Sequence, residues 1–214
     1  MKNILCFGDS NTWGYDPATQ TRFPREIRWT GVLQNLLGDN YYVIEEGLNG
    51  RTTNVDERQE YGLGYFRKFR SAIDLLPVLI ETNSPIDLVI VMLGTNDLKS
   101  NFNRSANDIA SDMKLVCQNI ISNEYFNSKS VVLISPTHIE ENSDTILDSF
   151  VDTNHKAVAL APLYKTIAEE LAIDFLDAAD FVKINTIDGI HWDAYQHNDF
   201  ALALCDKIKT IYNS

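Results

Sequence analysis

Cysteine is scarce in this chain, which has only three in 214 residues. Cys6, Cys117 and Cys205 lie far apart, so they match neither a metal-binding spacing nor a disulfide framework. Each falls in a mostly apolar stretch, and we expect all three to be small core residues. Reduced thiols are typical of cytoplasmic proteins, and the cytoplasm is the location that we expect.

Basic residues are few as well: lysine and arginine total 18 against 30 aspartates and glutamates, a net charge of -12. A nucleic-acid-binding protein needs a basic surface, which this composition does not provide. The acidity would not attract an anionic membrane, and no stretch approaches the roughly 20 apolar residues that span a bilayer. The apolar run after Lys2 is too short for a signal peptide. We therefore expect neither nucleic-acid nor membrane partners.

Three familiar motifs are missing. No Gly-x-Gly-x-x-Gly follows the first apolar run and no Walker A sequence occurs, which weighs against dinucleotide or nucleoside triphosphate binding. The Gly-x-Ser-x-Gly turn of α/β-hydrolases is also absent, because Thr12 stands where its second glycine would be. We expect a protein that needs no cofactor and no metal.

Apolar runs alternate along the chain with amphipathic segments. Short β-rich runs predict strands, and apolar residues at three- and four-residue spacing predict helices. This alternation predicts one α/β domain over residues 1–214, with five parallel strands covered by helices on both faces. The predicted strands are 4–8, 41–44, 88–93, 131–134 and 174–177. The predicted helices are 29–37, 66–80 with an interruption at Pro77, 105–122 capped by Ser105, 150–171 and 194–211.

The first apolar run ends in Gly8-Asp9-Ser10. A serine at the carboxyl end of the first strand lies where open α/β sheets bind their ligands. We interpret Ser10 as a nucleophile. The alternative is that Ser10 only caps a helix or closes a turn.

A nucleophilic serine needs a base, and histidine is the natural one near neutral pH. His191 lies three residues after Asp188, so both side chains can project from one loop, with the aspartate fixing the tautomer of the histidine. Asp97 and Asp193 are the alternative partners for His191. The segment could also be a plain turn with a structural histidine, as we expect for His138, His155 and His197.

Attack on a carbonyl creates an oxyanion that needs preorganised donors. The candidates are the backbone amides of Ser10 and Gly47 and the side-chain amide of Asn96. Alternatively, Gly47 and Asn96 serve only a turn and a helix cap. Arg51 and Asp97 either orient these loops or form surface salt bridges.

These blocks resemble, in order and spacing, those of the SGNH hydrolases, also called GDSL esterases. The blocks are Gly8-Asp9-Ser10, Gly47, Gly94-Thr95-Asn96-Asp97 and Asp188-Gly189-Ile190-His191. The resemblance implies a flavodoxin-like three-layer αβα sandwich. It also implies that Ser10 is the nucleophile, His191 the base and Asp188 its partner, with Ser10, Gly47 and Asn96 forming the oxyanion hole.

Longer segments look like the bacterial arylesterase and acyltransferase branch of this family. They are Cys6–Ser10, Arg28–Leu33, Glu45–Leu48, Arg51–Thr53, Met92–Asp97 and Asp188–His191. This likeness implies hydrolysis of short-chain esters, acyl transfer to alcohols and, in some members, homo-oligomers that shape a narrow apolar channel. Asn11 departs from the leucine of the family's name motif. The loops 56–69, a possible lid, and 137–150 look individual.

The sequence as a whole predicts a serine esterase that works through an acyl-enzyme on a small-molecule ester. Trp29 is expected in the core. The alternatives are a carbohydrate O-deacetylase with the same machinery and a catalytically silent flavodoxin-like binding domain. The residues predicted to contact substrate are Asn11, Trp13, Tyr15, Thr95, Ile190 and Trp192.

Overall fold

A parallel sheet of five strands forms the centre of the computed structural model, which describes residues 1–56, 60–61, 65–66, 69–143, 145–184 and 187–213. The spatial order is β2-β1-β3-β4-β5, and every neighbouring pair is parallel. This order is that of flavodoxin-like sheets. It confirms the predicted five-stranded α/β fold. The strands are β1 Lys2–Gly8, β2 Tyr41–Gly47, β3 Leu88–Met92, β4 Val131–Ser135 and β5 Asp174–Asp177.

Helices cover both faces of the sheet. Alternate residues of β1 face opposite ways, so Leu5 and Phe7 pack in one core while Ile4 and Cys6 pack in the other. Residues of α3, α4 and α5 complete the first core, and residues of α2 and α6 complete the second. The helices are α1 Ser10–Trp13, α2 Trp29–Leu37, α3 Ala72–Asn83, α4 Ala106–Ser122, α5 Asn154–Leu171 and α6 Ala194–Asn213.

Local sequence explains where helix α4 begins. Ser105 accepts a hydrogen bond from the Asp108 backbone at 3.2 Å, and the Asp108 carboxylate accepts one from the Ser105 backbone at 2.9 Å. This reciprocal pair satisfies two backbone N–H groups that a helix start leaves unpaired. The predicted cap at Ser105 is confirmed.

Three stretches differ from the sequence prediction. Pro77 lies inside α3 instead of interrupting it, because burial of Leu76 and Ile80 against the sheet holds the helix together around the missing N–H. A 3₁₀ turn at Asp148–Phe150 precedes α5, which therefore begins at Asn154. The segment after Gly14, where the sequence predicted neither helix nor strand, contains paired two-residue strands, Tyr15–Asp16 and Thr21–Arg22.

The possible lid at 56–69 falls partly outside the described residues, which omit 57–59, 62–64 and 67–68. Of its remainder, Glu60–Tyr61 and Tyr65–Phe66 pair as two short antiparallel strands. All three cysteines are buried, as predicted. In the described part of the chain, no helix is both long and apolar enough to cross a membrane.

Candidate active site

Ser10 lies at the point where the sheet changes winding direction. The strands β1 and β3 are neighbours, and the chain continues from β1 to β2 on the other side. Such a switch point leaves a crevice at the carboxyl ends of the strands. Ser10 begins the single turn α1 directly after β1, with only 6% of its surface exposed. Asp9 caps this turn by accepting a 3.0 Å hydrogen bond from the Asn11 backbone.

His191 stands between Ser10 and Asp188. Its Nε2 lies 2.9 Å from Ser10 Oγ, and its Nδ1 lies 2.6 Å from Asp188 Oδ2. The other carboxylate oxygen, Oδ1, accepts hydrogen bonds from the backbone N–H groups of His191 at 2.9 Å and Ile190 at 3.1 Å. These contacts hold the carboxylate and the imidazole in one fixed relation.

The structure decides between the three candidate aspartates. Asp193 instead caps α6, where its carboxylate accepts from the backbones of Tyr195 and Gln196. Asp97 bonds to Thr53 and Arg104. Asp188 is the one in contact with His191.

Asp188 remains ionised in this setting. Burial alone would raise its pKa, but hydrogen bonds and charge from His191 outweigh burial, and the pKa is lowered from its ordinary value. A carboxylate beside Nδ1 keeps the proton on that nitrogen, which leaves Nε2 free to accept the proton of Ser10 Oγ. The arrangement can therefore generate a serine nucleophile.

Gly47 ends β2 in register with Gly8 at the end of β1. A Cβ at Gly47 would lie 2.1 Å from the Trp13 nitrogen and 2.5 Å from the Thr12 carbonyl carbon, so no side chain fits there. Glycine allows α1 to pack directly against the end of β2. The backbone segments that carry the Ser10 and Gly47 amides are thereby brought together.

Asn96 follows β3 on the other side of Ser10 and is buried. Its Nδ2 donates a 3.1 Å hydrogen bond to the Arg51 carbonyl. An amide nitrogen has two hydrogens, so this bond fixes the side chain and leaves the second hydrogen for another acceptor. Asn96 and Ser10 line the same cavity.

Arg51 connects these segments from below. Its guanidinium donates to the carbonyls of Gly8, at 2.9 Å, and Glu46, and lies 4.0 Å from the ring centroid of Phe7. Burial lowers its pKa to about 10. Together with the bond that its own carbonyl accepts from Asn96, Arg51 touches all three segments predicted to carry oxyanion donors. With 3% of its surface exposed, Arg51 is buried between these loops, and among the described residues it forms no surface salt bridge.

Asp97 has the same kind of role one residue after Asn96. Its carboxylate accepts from Thr53 Oγ1 at 2.6 Å and from Arg104 Nη1 at 2.7 Å. Burial raises its pKa to about 6, although the bonds from Thr53 and the charge of Arg104 act against burial. Asp97 thereby fastens the loop after β2 to the loop after β3.

The cavity above Ser10 has a volume of about 130 Å³. One side is apolar, and the ring of Tyr15 lies 4.4 Å from that of His191, between centroids. The lining consists of Ser10, Tyr15, Asn49, Gly50, Asn96, Lys99, Leu147, Phe150, Ile190 and His191.

Two of the six predicted substrate-contacting residues, Tyr15 and Ile190, line this cavity; the other four are absent from its lining as far as the chain is described. Trp192 is fully buried against Phe200 and donates its indole N–H to Thr137. Thr95 is buried, with only 4% of its surface exposed. The Arg22 guanidinium lies 5.1 Å from the Trp13 ring centroid. The assignment of Trp192 and Thr95 to the substrate pocket is therefore corrected.

Asn11 also turns away from the cavity. Its side chain is buried and bonds to the backbone on both sides of His191. Trp29 is buried in the second core, as expected. The sequence interpretation missed Asn49, Gly50, Lys99, Leu147 and Phe150. The available signal was closeness in sequence, since Asn49 and Gly50 follow Gly47 by two and three residues and Lys99 follows Asn96 by three.

The remaining histidines lie outside the cavity lining of the described residues. His138 and His155 are exposed. His197 is buried among aromatic rings and its Nδ1 accepts from the Trp29 backbone at 3.3 Å; burial lowers its pKa to about 3. Across the ranges that the structure covers, no three His, Cys, Asp or Glu side chains gather as metal ligands would.

The flavodoxin-like sheet and the Ser–His–Asp contact define a class of serine hydrolases that carry their serine directly after the first strand. The chain belongs to the GDSL-like lipase/acylhydrolase family, whose model matches residues 6–200. It is accordingly an ester-hydrolysing enzyme of the SGNH type.

Solved structures of similar proteins agree with this membership. The aryl esterase of M. smegmatis is 34% identical, with a TM-score of 0.88, over 98% of this chain and 99% of that one. Est24, a carbohydrate acetylesterase from Sinorhizobium meliloti, is 32% identical, with a TM-score of 0.88, over 99% of this chain and 100% of that one. A G-D-S-L family protein from Veillonella parvula is 16% identical at a TM-score of 0.67 and shows the fold alone. No curated protein matches the chain in sequence.

Proposed function

We propose that this chain hydrolyses short-chain carboxylic esters through an acyl-Ser10 intermediate. The observation that carries the proposal is the line of contacts from Ser10 Oγ through His191 to Asp188, at 2.9 and 2.6 Å, in the wall of a small cavity. His191 Nε2 takes the proton of Ser10 as Oγ bonds to the ester carbonyl carbon. The resulting imidazolium is stabilised by the ionised Asp188.

The oxyanion formed in this step is held by the amides of Ser10 and Gly47 and by the free hydrogen of Asn96 Nδ2. When the tetrahedral intermediate collapses, the bond to the alcohol oxygen breaks and His191 protonates that oxygen. A water molecule then gives its proton to His191 and attacks the acyl carbon, and Ser10 leaves with its proton restored. An alcohol in place of water would give acyl transfer, which we include in the proposal.

The cavity supports a small acyl group. Its volume of about 130 Å³ corresponds to roughly four water molecules. Tyr15, Leu147, Phe150 and Ile190 make one side of it apolar. An acetyl to butyryl chain suits such a space, whereas a long lipid chain would have to pass over the exposed Leu147 into solvent.

A carbohydrate O-acetylesterase is the second candidate. Asn49 and Lys99 make the other side of the cavity polar, and one structural neighbour is named a carbohydrate acetylesterase. Both candidates share the acyl half of the substrate and differ in the alcohol. Measuring kcat/KM on phenyl acetate and on acetylated xylose side by side distinguishes them. A higher value on acetylated xylose would favour the carbohydrate O-acetylesterase, and a higher value on phenyl acetate the first candidate.

The experiment that tests the proposal is hydrolysis of p-nitrophenyl esters from acetate to decanoate, with Ser10→Ala alongside. We expect kcat/KM to be highest for acetate or butyrate and to fall to background in the variant. A rate that rises toward decanoate would contradict the short-chain specificity while keeping the serine mechanism. Equal rates in the wild type and in Ser10→Ala would contradict the mechanism itself.

A further inference from the structure

Asn11, the residue after the proposed nucleophile, carries two contacts that the reaction scheme does not use. It is the second residue of α1, and only 3% of its surface is exposed. Its Nδ2 donates to the Ile190 carbonyl at 3.3 Å. Its Oδ1 accepts from the Trp192 backbone N–H at 3.1 Å. These two backbone groups belong to the residues immediately before and after His191.

The partners fix the orientation of the amide. An N–H can only donate, so the Trp192 backbone must face oxygen, and a carbonyl can only accept, so Ile190 must face the NH₂ group. Asparagine can therefore hydrogen-bond to both backbone groups, whereas aspartate and leucine cannot. Aspartate would set oxygen against the Ile190 carbonyl, and leucine would leave both backbone groups without this partner.

His191 is then held from two directions. On one side, Asp188 accepts hydrogen bonds from the backbone N–H groups of His191 and Ile190. Asn11 holds the flanking peptide groups on the other, across 179 and 181 positions of sequence. Because Asn11 is bonded covalently to Ser10, any movement of the His191 backbone relative to Ser10 must stretch these two hydrogen bonds.

We propose that Asn11 is a positioning residue that sets the His191 ring at hydrogen-bond distance from Ser10, a part of the site that this chain builds with asparagine where the family's name motif has leucine. The inference rests on the proposed function, since it concerns the base of that reaction. It assigns Asn11 no contact with substrate.

The test compares Asn11→Leu with the wild type, using Asn83→Leu as the matched control. Asn83 lies on α3 and also donates its amide to two acceptors, the Leu79 carbonyl at 2.9 Å and Glu46 at 3.3 Å. We expect Asn11→Leu to lower kcat for p-nitrophenyl acetate by about 10–100-fold, the scale expected for a catalytic group misplaced by about 1 Å. KM should stay within about threefold. Asn83→Leu should leave kcat unchanged.

A spectroscopic readout separates positioning from simple loss of stability. The Nδ1–H of His191 that faces Asp188 at 2.6 Å should give a far-downfield proton resonance. We expect this resonance to shift or broaden in Asn11→Leu at a temperature where the variant is folded, and to be unchanged in Asn83→Leu.

If Asn11→Leu does not fold, Asn11→Asp serves instead, because it keeps the shape and the acceptor for Trp192. It should then lower kcat while remaining folded.

Two results would overturn the inference. A kcat within about twofold of the wild type, with the resonance unmoved, would show that Asn11 only fills space. A raised KM at unchanged kcat would show that Asn11 contacts substrate, as the sequence interpretation had it. If the wild type hydrolyses no ester, the proposed function fails, but the resonance comparison still reports whether Asn11 positions His191.

Discussion

The floor and the rim of the cavity are built by different means. The floor, which we define as Ser10, Asn96 and His191 together with Gly47 and Asn11, which support them from outside the lining, is carried by strand ends and buried hydrogen bonds. The rim, defined as Tyr15, Leu147, Phe150 and Ile190, comes from the segments that connect the sheet strands and the long helices, and Leu147 is 56% exposed. A sheet edge fixes positions for chemistry, whereas loops adjust the size and shape of what enters.

The two regions meet behind His191. The Glu140 backbone donates to the Gly189 carbonyl at 2.9 Å, and Thr145 Oγ1 donates to the Ile187 carbonyl at 2.6 Å. Gly189 has a φ of 70°, and a Cβ there would lie 2.2 Å from the Glu140 carbonyl oxygen. The loop of the base is therefore backed by the loop that carries the rim. This difference between floor and rim predicts that substitutions in the floor lower kcat for every ester, whereas substitutions in the rim change the preferred chain length of the ester.

The largest effect should come from removing the base. We expect His191→Ala to lower kcat for p-nitrophenyl acetate by roughly 10⁴–10⁶-fold, because no group would take the proton of Ser10. His155→Ala, at an exposed histidine, should leave kcat unchanged. A loss for His191→Ala of less than about tenfold, in a variant shown to be folded, would mean that the floor is misassigned.

The next effect concerns the oxyanion. Asn96→Ala should cost roughly 10²–10³ in kcat, the scale of one lost oxyanion-hole donor. The loss should be similar for acetate and hexanoate esters, since the donor acts on the carbonyl oxygen that all of them share. Steady-state kinetics measure this, with Asn101→Ala on the neighbouring exposed turn as control. A loss confined to the longer esters would place Asn96 in the rim.

A rim variant should behave in the opposite way. Leu147→Ala opens the cavity toward solvent, so we expect the ratio of kcat/KM for hexanoate over acetate to rise by roughly 3–10-fold. The kcat for acetate should stay within about twofold of the wild type. Val151→Ala, at an exposed position of the same loop region, should alter neither value. An unchanged ratio would show that the rim does not set chain length.

The smallest effect on turnover should come from His197, which lies six residues from His191 but outside the cavity. Burial lowers its pKa to about 3, so between about pH 6.5 and pH 3 the unfolded state binds a proton that the folded state does not. The stability due to neutral His197 is fully present above about pH 6.5 and is lost as pH falls, by at most about 5 kcal/mol.

Denaturant unfolding between about pH 4 and pH 7 measures this contribution. We expect the free energy of unfolding of His197→Asn to fall less steeply with acid than that of the wild type, while kcat near neutral pH changes little. Equal slopes would refute the assignment of a buried neutral imidazole.

Most of the floor could be predicted from the sequence because its residues follow strands that are easily identified. Parallel strands bring Ser10, Gly47 and Asn96 to one edge whatever the details of the loops. The family resemblance implied Asp188 as the partner of His191, but the residues alone did not distinguish it from Asp97 and Asp193, because only the folded loop shows which carboxylate faces the ring.

The rim and the supporting contacts were harder to predict from the sequence. Leu147 lies in a stretch without periodicity, which carries no signal for orientation. Phe150 was predicted to begin a helix, but it lies in the 3₁₀ turn before α5. Trp192 and Asn11 were assigned to the pocket and adjoin His191 and Ser10 in sequence, but neighbours along the chain point to different sides of a one-turn helix or a loop. The burial of Arg51 depends on carbonyl groups from two strands, which the sequence does not display.

The central claim is that Ser10 is the nucleophile, and a p-nitrophenyl phosphonate tests it most directly. Attack by Ser10 Oγ on phosphorus releases p-nitrophenolate and leaves a stable bond to the serine. Peptide mapping by mass spectrometry should find one phosphonyl group per chain, on Ser10, formed rapidly in the wild type and far more slowly in His191→Ala. Labelling at another residue, or no labelling while esters are still hydrolysed, would contradict the account.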